Sequence, residues 1–275
     1  MKTLCIYHSN CSDGFGSATT VGLALGFNNV DFHQGVYNQL PPDVTGRDVV
    51  LVDFSYKRDV IISLAEQAKS ILILDHHKTA EAELTNMPSN VSANFDMSKS
   101  GAVMAWEYYF PSQPPPPLLL SIQDRDLWEF KLEGTREVLA CLSSHPYDFD
   151  VWTRLLYTNV DELRAEGESI NRKILKDVTE LIEASAYTST IAGYDVPVLN
   201  APYFMASEAG NILCKGRPFS ASYSDSHAGR TFSLRSDENG IDVSAIATLF
   251  GGGGHKHSAG FTVTHSELQS LSFAY

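Results

Sequence analysis

A chain of 275 residues with 43% apolar and 19% charged side chains can bury a sizeable core, which excludes a disordered or fibrous protein and suggests two domains at roughly 100–200 residues each. Its 33 acidic against 20 basic residues give a formal charge of -13, which opposes tight, non-specific binding to long nucleic acid because such binding rests on phosphate neutralisation. Cys5, Cys11, Cys141 and Cys214 are scattered without a CxxC pair, so neither a disulfide framework nor a structural zinc site is indicated. The opening apolar segment is too short for a signal sequence and no long apolar run exists, so the expectation is a cytoplasmic protein without a membrane span.

Thr3 to Tyr7 predicts a first buried strand that delivers His8 at its end. After the loop His8-Ser-Asn10-Cys11-Ser12-Asp13-Gly14, the small apolar run Phe15 to Leu25 predicts a helix starting close to that loop, an anion-friendly corner. Val49 to Val52 is an all-aliphatic strand ending in Asp53, and Lys57 to Lys69 shows helical spacing. Ile71 to Leu74 repeats the design and ends in Asp75-His76-His77. Three short strands separated by helical segments, each ending in His or Asp, predict a parallel sheet whose carboxyl edge gathers those side chains. One such ending is commonly a helix cap; three together point to metal chemistry.

Ser100 to Phe110 predicts a further helix, and Pro114 to Pro117 an extended surface linker. Leu118 to Gln123 leads into Asp124-Arg125-Asp126, which reads either as a solvated ion-pair turn or as the source of one more metal ligand; spacing favours Asp124 over Asp126. Asp150 to about Ala186 is helical throughout and predicts a connector. After Tyr187 the composition turns to Gly, Pro, Ser and alternating runs such as Thr231 to Arg235, which places domains at 1–186 and 190–275. The string Phe250-Gly251-Gly252-Gly253-Gly254-His255-Lys256-His257 offers backbone N–H groups and close approach to a phosphate-bearing ligand, with basic side chains beside it. Phe219, Tyr223 and Phe232 read as core or strand-face residues rather than a base-stacking platform.

The order and spacing of His8, Asp13, Asp53, Asp75-His76-His77, Asp124/Asp126 and the glycine string resemble a DHH-family phosphoesterase with its DHH-associated C-terminal (DHHA1) domain. The family is similar to family II inorganic pyrophosphatases, RecJ-type exonucleases and short-oligoribonucleases. The resemblance implies an α/β fold: a parallel-sheet catalytic domain joined by a helical linker to a smaller α/β substrate-binding domain. It implies two divalent metals, Mn2+ with Mg2+ as the alternative, held by His8, Asp13, Asp53, His76 and Asp124, with Asp126 and Cys11 as lesser candidates. Asp53 would bridge the metals, Asp75 would orient a neighbouring imidazole, and His77 would sit near the phosphate. Paired metals acidify a bridging water that attacks phosphorus. Arg235, Gly252, Gly253, Gly254, His255 and His257 would grip the far phosphate or base, an arginine fork suiting that task. One departure stands out: Cys11-Ser12-Asp13 occupies the place where many members carry Asp-x-Asp, so a thiol, Asn10 or water replaces the first carboxylate.

The expected activity is hydrolysis of very short oligonucleotides, linear pGpG or pApA, to mononucleotides. The alternatives are a 3′-phosphoadenosine 5′-phosphate phosphatase, a cyclic dinucleotide phosphodiesterase, a single-strand exonuclease, or a catalytically dead nucleotide sensor in which Cys11 has emptied one metal site. A short nucleotide is the expected partner and a homodimer is admitted; long nucleic acid and membrane are not expected.

Overall fold

The computed structural model describes residues 1–37, 39–227 and 229–270. They form two compact units, Met1–Asn171 and a second from Arg172 onward. The first contains β1 (Thr3–His8), α1 (Ser12–Leu25), β2 (Val30–Gly35), β3 (Asp48–Val52), α2 (Arg58–Ala65), β4 (Ser70–Asp75), α3 (Lys78–Glu83), β5 (Val91–Phe95), α4 (Gly101–Tyr109), α5 (Pro117–Asp126), α6 (Thr135–Ser143) and α7 (Phe149–Leu156). α8 (Val160–Ser185) starts in the first unit and runs into the second. There follow β6 (Tyr187–Ile191), β7 (Tyr194–Asn200), α9 (Tyr203–Leu213), β8 (Ser220–Ser226), β9 (Gly229–Arg235), α10 (Val243–Leu249), β10 (Gly253–His255), β11 (Ser258–Val263) and α11 (His265–Ser270).

The first sheet has the order β2-β1-β3-β4-β5 and every pairing in it is parallel. Its aliphatic central strands serve two cores by alternation: Cys5, Tyr7, Val50, Val52 and Leu74 face the helices α1, α4, α5, α6 and α7, while Leu4, Ile6, Val49, Leu51, Ile71 and Ile73 face α2. Burial on both faces is why these strands read as continuous apolar runs. The two outer strands escaped notice for the converse reason. Val30-Asp-Phe-His-Gln-Gly35 and Val91-Ser-Ala-Asn-Phe95 lie at the sheet's edges, mix polar with apolar residues and are only partly buried.

Two expectations are corrected here. The proline run stays extended only as far as Pro116, because Pro117 is the first residue of α5, where its fixed φ and missing N–H cost nothing. The helix expected from Lys57 to Lys69 ends at Ala65. The division into units falls within α8, and the compositional change near Tyr187 marks the first strand of the second sheet.

The second sheet runs β10-β11-β9-β8-β7-β6, antiparallel except where β7 meets β8. Its core gathers Val196, Val198, Phe219, Ala221, Phe232, Leu234 and Phe261 beneath α10. Phe219 and Phe232 are therefore core residues, as expected, and Tyr223 is half-buried with the Arg230 guanidinium 3.9 Å over its ring. Val178 of α8 packs with Leu199 and with Ala209 of α9 in a smaller cluster. Among the described residues, no helix is long and apolar enough to cross a membrane.

Candidate metal centre

Because β1, β3 and β4 are adjacent and parallel, their carboxyl ends open on one edge, and His8, Asp53 and the Asp75-His76-His77 triplet emerge there together. Asp53 leaves its strand with φ 52°, a left-handed conformation that Asp tolerates better than most residues. α1 begins immediately after the first loop and carries Asp13 in its first turn.

Asp13 is fully buried and both its oxygens accept backbone N–H groups at the start of α4, from Gly101 at 2.6 Å and Ala102 at 2.9 Å. The fit requires Gly101, because a Cβ there would lie 2.6 Å from the Asp53 Cβ and 3.0 Å from Asp13 Oδ2. Sequence reading overlooked Gly101; the available signal was its position directly after Ser100, whose hydroxyl caps the helix.

His76 is the centre of the cluster. Its Nε2 lies 3.1 Å from Asp53 Oδ1, 3.4 Å from Asp126 Oδ2 and 3.6 Å from Asp13 Oδ2. Asp53 Oδ2 faces His8 Nδ1 at 3.4 Å, longer than a good hydrogen bond, and is buried without a hydrogen-bond partner. Cys11 Sγ completes a second grouping with His8 and Asp53, the three ligand atoms within 4.8 Å of one another.

Asp75 works differently. Its carboxylate accepts from the Ser55 hydroxyl at 2.6 Å, from the His76 N–H at 2.8 Å and from His77 Nδ1 at 2.6 Å. It anchors the loop and fixes the His77 ring. His77 in turn meets the His8 ring edge-on at 5.8 Å, and Tyr37, which the sequence did not flag, packs on His8 at 5.5 Å.

The choice between Asp124 and Asp126 is corrected by the structure. Asp124 turns away from the cluster and accepts from the N–H groups of Lys131 at 2.7 Å and Leu132 at 3.1 Å and from the Thr135 hydroxyl, holding the loop after α5. Spacing favoured Asp124 on no knowledge of helix phase; α5 carries Asp126, not Asp124, to His76.

Charges this close shift one another. Burial and then the charges of Asp53 and Asp126 push the Asp13 carboxyl well above its usual range. Burial and Asp53 also raise Asp126. Burial would raise Asp53 as well, but His76 and His8 hold it well below the carboxylate range. Burial opposes the charge of His76, yet Asp53, Asp126 and Asp13 push it up to about 10, and against the same burial Asp75 raises His77 to about 8. Burial and the carboxylates of Asp53, Asp126 and Asp13 drive the Cys11 thiol well above its ordinary value. Three carboxylates crowded on one imidazole, one of their oxygens buried without a hydrogen bond, fit a missing positive charge, and a carboxylate–imidazole donor set suits a hard or borderline divalent cation.

In the second unit Arg235 ends β9, donates to Ser207 Oγ at 2.7 Å and lies against Gly210 of α9. His257 Nδ1 pairs with the Ser236 hydroxyl at 2.9 Å, and His255 faces Ser258 across the β10–β11 hairpin. The expectation that the glycine run exposes its N–H groups is corrected for two of the four. Gly251 donates to Thr248 O at 3.1 Å and Gly252 to Ala247 O at 2.9 Å, so both close the end of α10. Gly252 is needed for packing, since a Cβ would lie 2.1 Å from Gly260 O.

The chain has the fold of the DHH phosphoesterases, with a second, DHHA1-like unit. Structures with that fold include a pGpG-specific phosphodiesterase, PggH, from Vibrio cholerae (13% identical, covering 98% of this chain and 96% of that one, TM-score 0.52). An exopolyphosphatase-related protein from Bacteroides fragilis is similar at 13% identity, covering 98% and 89%, with a TM-score of 0.53. RecJ from Thermus thermophilus, solved in complex with Mn2+, is 14% identical over 98% of this chain and 50% of its own, with a TM-score of 0.51. In sequence, the protein R106 of Acanthamoeba polyphaga mimivirus, itself uncharacterised, is 32% identical over 284 residues, 93% of this chain; the chain spans 66% of that relative's length. No family model matches the chain.

Proposed function

We propose that the chain is a divalent-metal phosphodiesterase acting on very short oligonucleotides, with linear dinucleotides as its substrates. The observation that carries this reading is the convergence of Asp13, Asp53 and Asp126 on His76 at the carboxyl edge of the parallel sheet. Asp13, Asp53, His76, Asp126 and His8 would hold the cations, manganese or magnesium. When bound, these supply Lewis-acid polarisation of a phosphoryl oxygen and acidification of water.

The other roles fall to the chain itself. Gly101 and Ala102 N–H groups fix the Asp13 carboxylate, so one ligand is pre-oriented by a helix N-terminus. Asp75 accepts from His77 Nδ1, which leaves Nε2 as the atom to donate to a phosphoryl oxygen. Against burial, Asp75 raises the ring's pKa, which favours the protonated form that can donate from Nε2. Arg235 and the segment Gly252 to His257 are assigned recognition of the far phosphate or base, Gly252 contributing shape rather than its N–H.

Preference for short substrates is supported by the formal charge of -13, since a long-strand exonuclease needs a basic track, and by the shared fold with a pGpG-specific phosphodiesterase. A sensor reading draws on Cys11, whose thiol is a poor substitute for a carboxylate in this acidic surrounding. A ladder of oligonucleotides assayed with Mn2+ tests the proposal. Dinucleotides are expected to turn over and rates to fall with length; equal rates on long single strands overturn it, and no turnover on any length favours the sensor.

A further inference from the structure

The first unit holds another cluster of metal-ligating side chains that the phosphoesterase reading leaves unused. Cys141 lies in α6, His145 follows that helix by two residues, and Glu166 lies in α8. Each offers one ligand atom, and the three atoms lie within 4.8 Å of one another. Cys141 is fully buried, and His145 Nε2 is buried with no hydrogen-bond partner.

The juxtaposition has a definite cause. A Cβ on Gly167 would lie 1.8 Å from the Glu137 carbonyl oxygen and 3.1 Å from the Cys141 N, so α8 passes directly against the backbone of α6 at this glycine. Asn171, one turn further along α8, donates to Glu137 Oε1 at 2.8 Å and fixes the crossing. Glu166, next to Gly167, is thereby held over Cys141, while the chain turns after α6, His145 N–H donating to Leu142 O at 3.1 Å, and brings His145 back to Cys141. The absence of a CxxC pair hid this arrangement from sequence reading, because the third donor comes from a second helix.

We propose that Cys141, His145 and Glu166 form a second cation site for a zinc-class divalent ion, with water as fourth ligand. Thiolate, imidazole and carboxylate are the donors zinc accepts, and zinc bonds of about 2.0–2.3 Å place tetrahedral ligand atoms roughly 3.5 Å apart. Rotation of the exposed Glu166 and the partly exposed His145 closes the remaining gap. On binding, the Cys141 thiol gives its proton to solvent and its sulfur bonds the cation, so occupancy is favoured as pH rises. The site clips the first half of α8 to α6.

Cobalt(II) titration of the full-length, chelator-stripped chain tests this, because a sulfur-to-cobalt charge-transfer band reports thiolate ligation directly. Cys11 belongs to the phosphoesterase cluster and could give such a band, so the titration is made in Cys11→Ser. The expected result is one sulfur-ligated cobalt per chain, displaced by zinc, weakened at least tenfold by Glu166→Gln and lost in Cys11→Ser/Cys141→Ser. No band in Cys11→Ser, or a band that survives loss of Cys141, overturns the proposal. If the Cys141 variant fails to fold, His145→Ala takes its place, and an unchanged band there overturns it equally.

Discussion

The carboxyl edge of the first sheet and the glycine string of the second unit look alike in sequence: each is a run of small or polar residues directly after an apolar element. Their physical content differs. At the sheet edge, Asp13, Asp53 and Asp126 are drawn together around His76 at 3.1–3.6 Å; His76 and His8 favour the charge of Asp53, but burial and like charge oppose those of Asp13 and Asp126, a cost that stability alone does not explain. In the glycine string, Gly251 and Gly252 satisfy carbonyls of α10, and Gly252 makes room for Gly260 O. Stability alone accounts for those two residues. A cluster that works against folding is the better evidence of function.

The largest effect expected is at the edge. Asp53→Asn keeps a residue suited to the left-handed backbone at φ 52° and nearly the same volume, but removes the charge. Manganese-supported hydrolysis of a dinucleotide should fall at least about a hundredfold, the scale on which loss of ligand-supporting groups acts, with the circular dichroism spectrum retained. Wild-type rates in Asp53→Asn would show that the charge crowding serves something other than catalysis.

Much of that edge was legible in the sequence because parallel strands buried on both faces must be aliphatic, and aliphatic runs announce where they stop. His8, Asp53 and Asp75 were therefore found with their places in the fold. The rest was not legible for reasons of phase and contact. Asp124 and Asp126 differ only in which face of α5 they occupy, and the helix had not been recognised. Gly101 matters only because Asp13 and Asp53 meet it across the fold. The edge strands β2 and β5 are only partly buried and interleave polar residues with apolar ones, so they lack the continuous apolar run of the central strands.

The packing half of the comparison is sharpened by Gly252→Ala. With Gly260 O only 2.1 Å from the added carbon, either backbone must move, and a loss of about 3 kcal/mol in unfolding free energy is expected. Chemical denaturation followed in the second unit would measure it. A neutral substitution would return the glycine to a ligand-facing role.

Asp124→Ala and Asp126→Ala divide stability from chemistry within two residues of one helix. Removing Asp124 deprives two N–H groups and a hydroxyl of their acceptor and should cost about 2 kcal/mol while leaving bound manganese unchanged. Removing Asp126 should leave the melting temperature of the metal-free chain unchanged or higher, since its charge is opposed by burial and by Asp53 more than His76 favours it, while bound manganese falls. Metal analysis alongside calorimetry reads both, and the reverse assignment would restore Asp124 as the ligand.

The smallest effect is expected at an exposed ion pair of the second unit. Arg230 bridges Asp225 with both Nε and Nη2, at 2.8 and 2.9 Å, and lies 3.9 Å over the Tyr223 ring. The geometry is as good as a surface pair offers, yet the Asp225 side chain is 45% exposed, so water screens the ion pair and the stacked guanidinium retains most of the value. Arg230→Ala should therefore cost about 1 kcal/mol or less, and raising salt should recover only a small part of the difference between wild type and variant. A loss that vanishes in high salt would put the ion pair, not the ring contact, in charge. A loss of several kcal/mol would mean that the pairing of β8 with β9 depends on this contact.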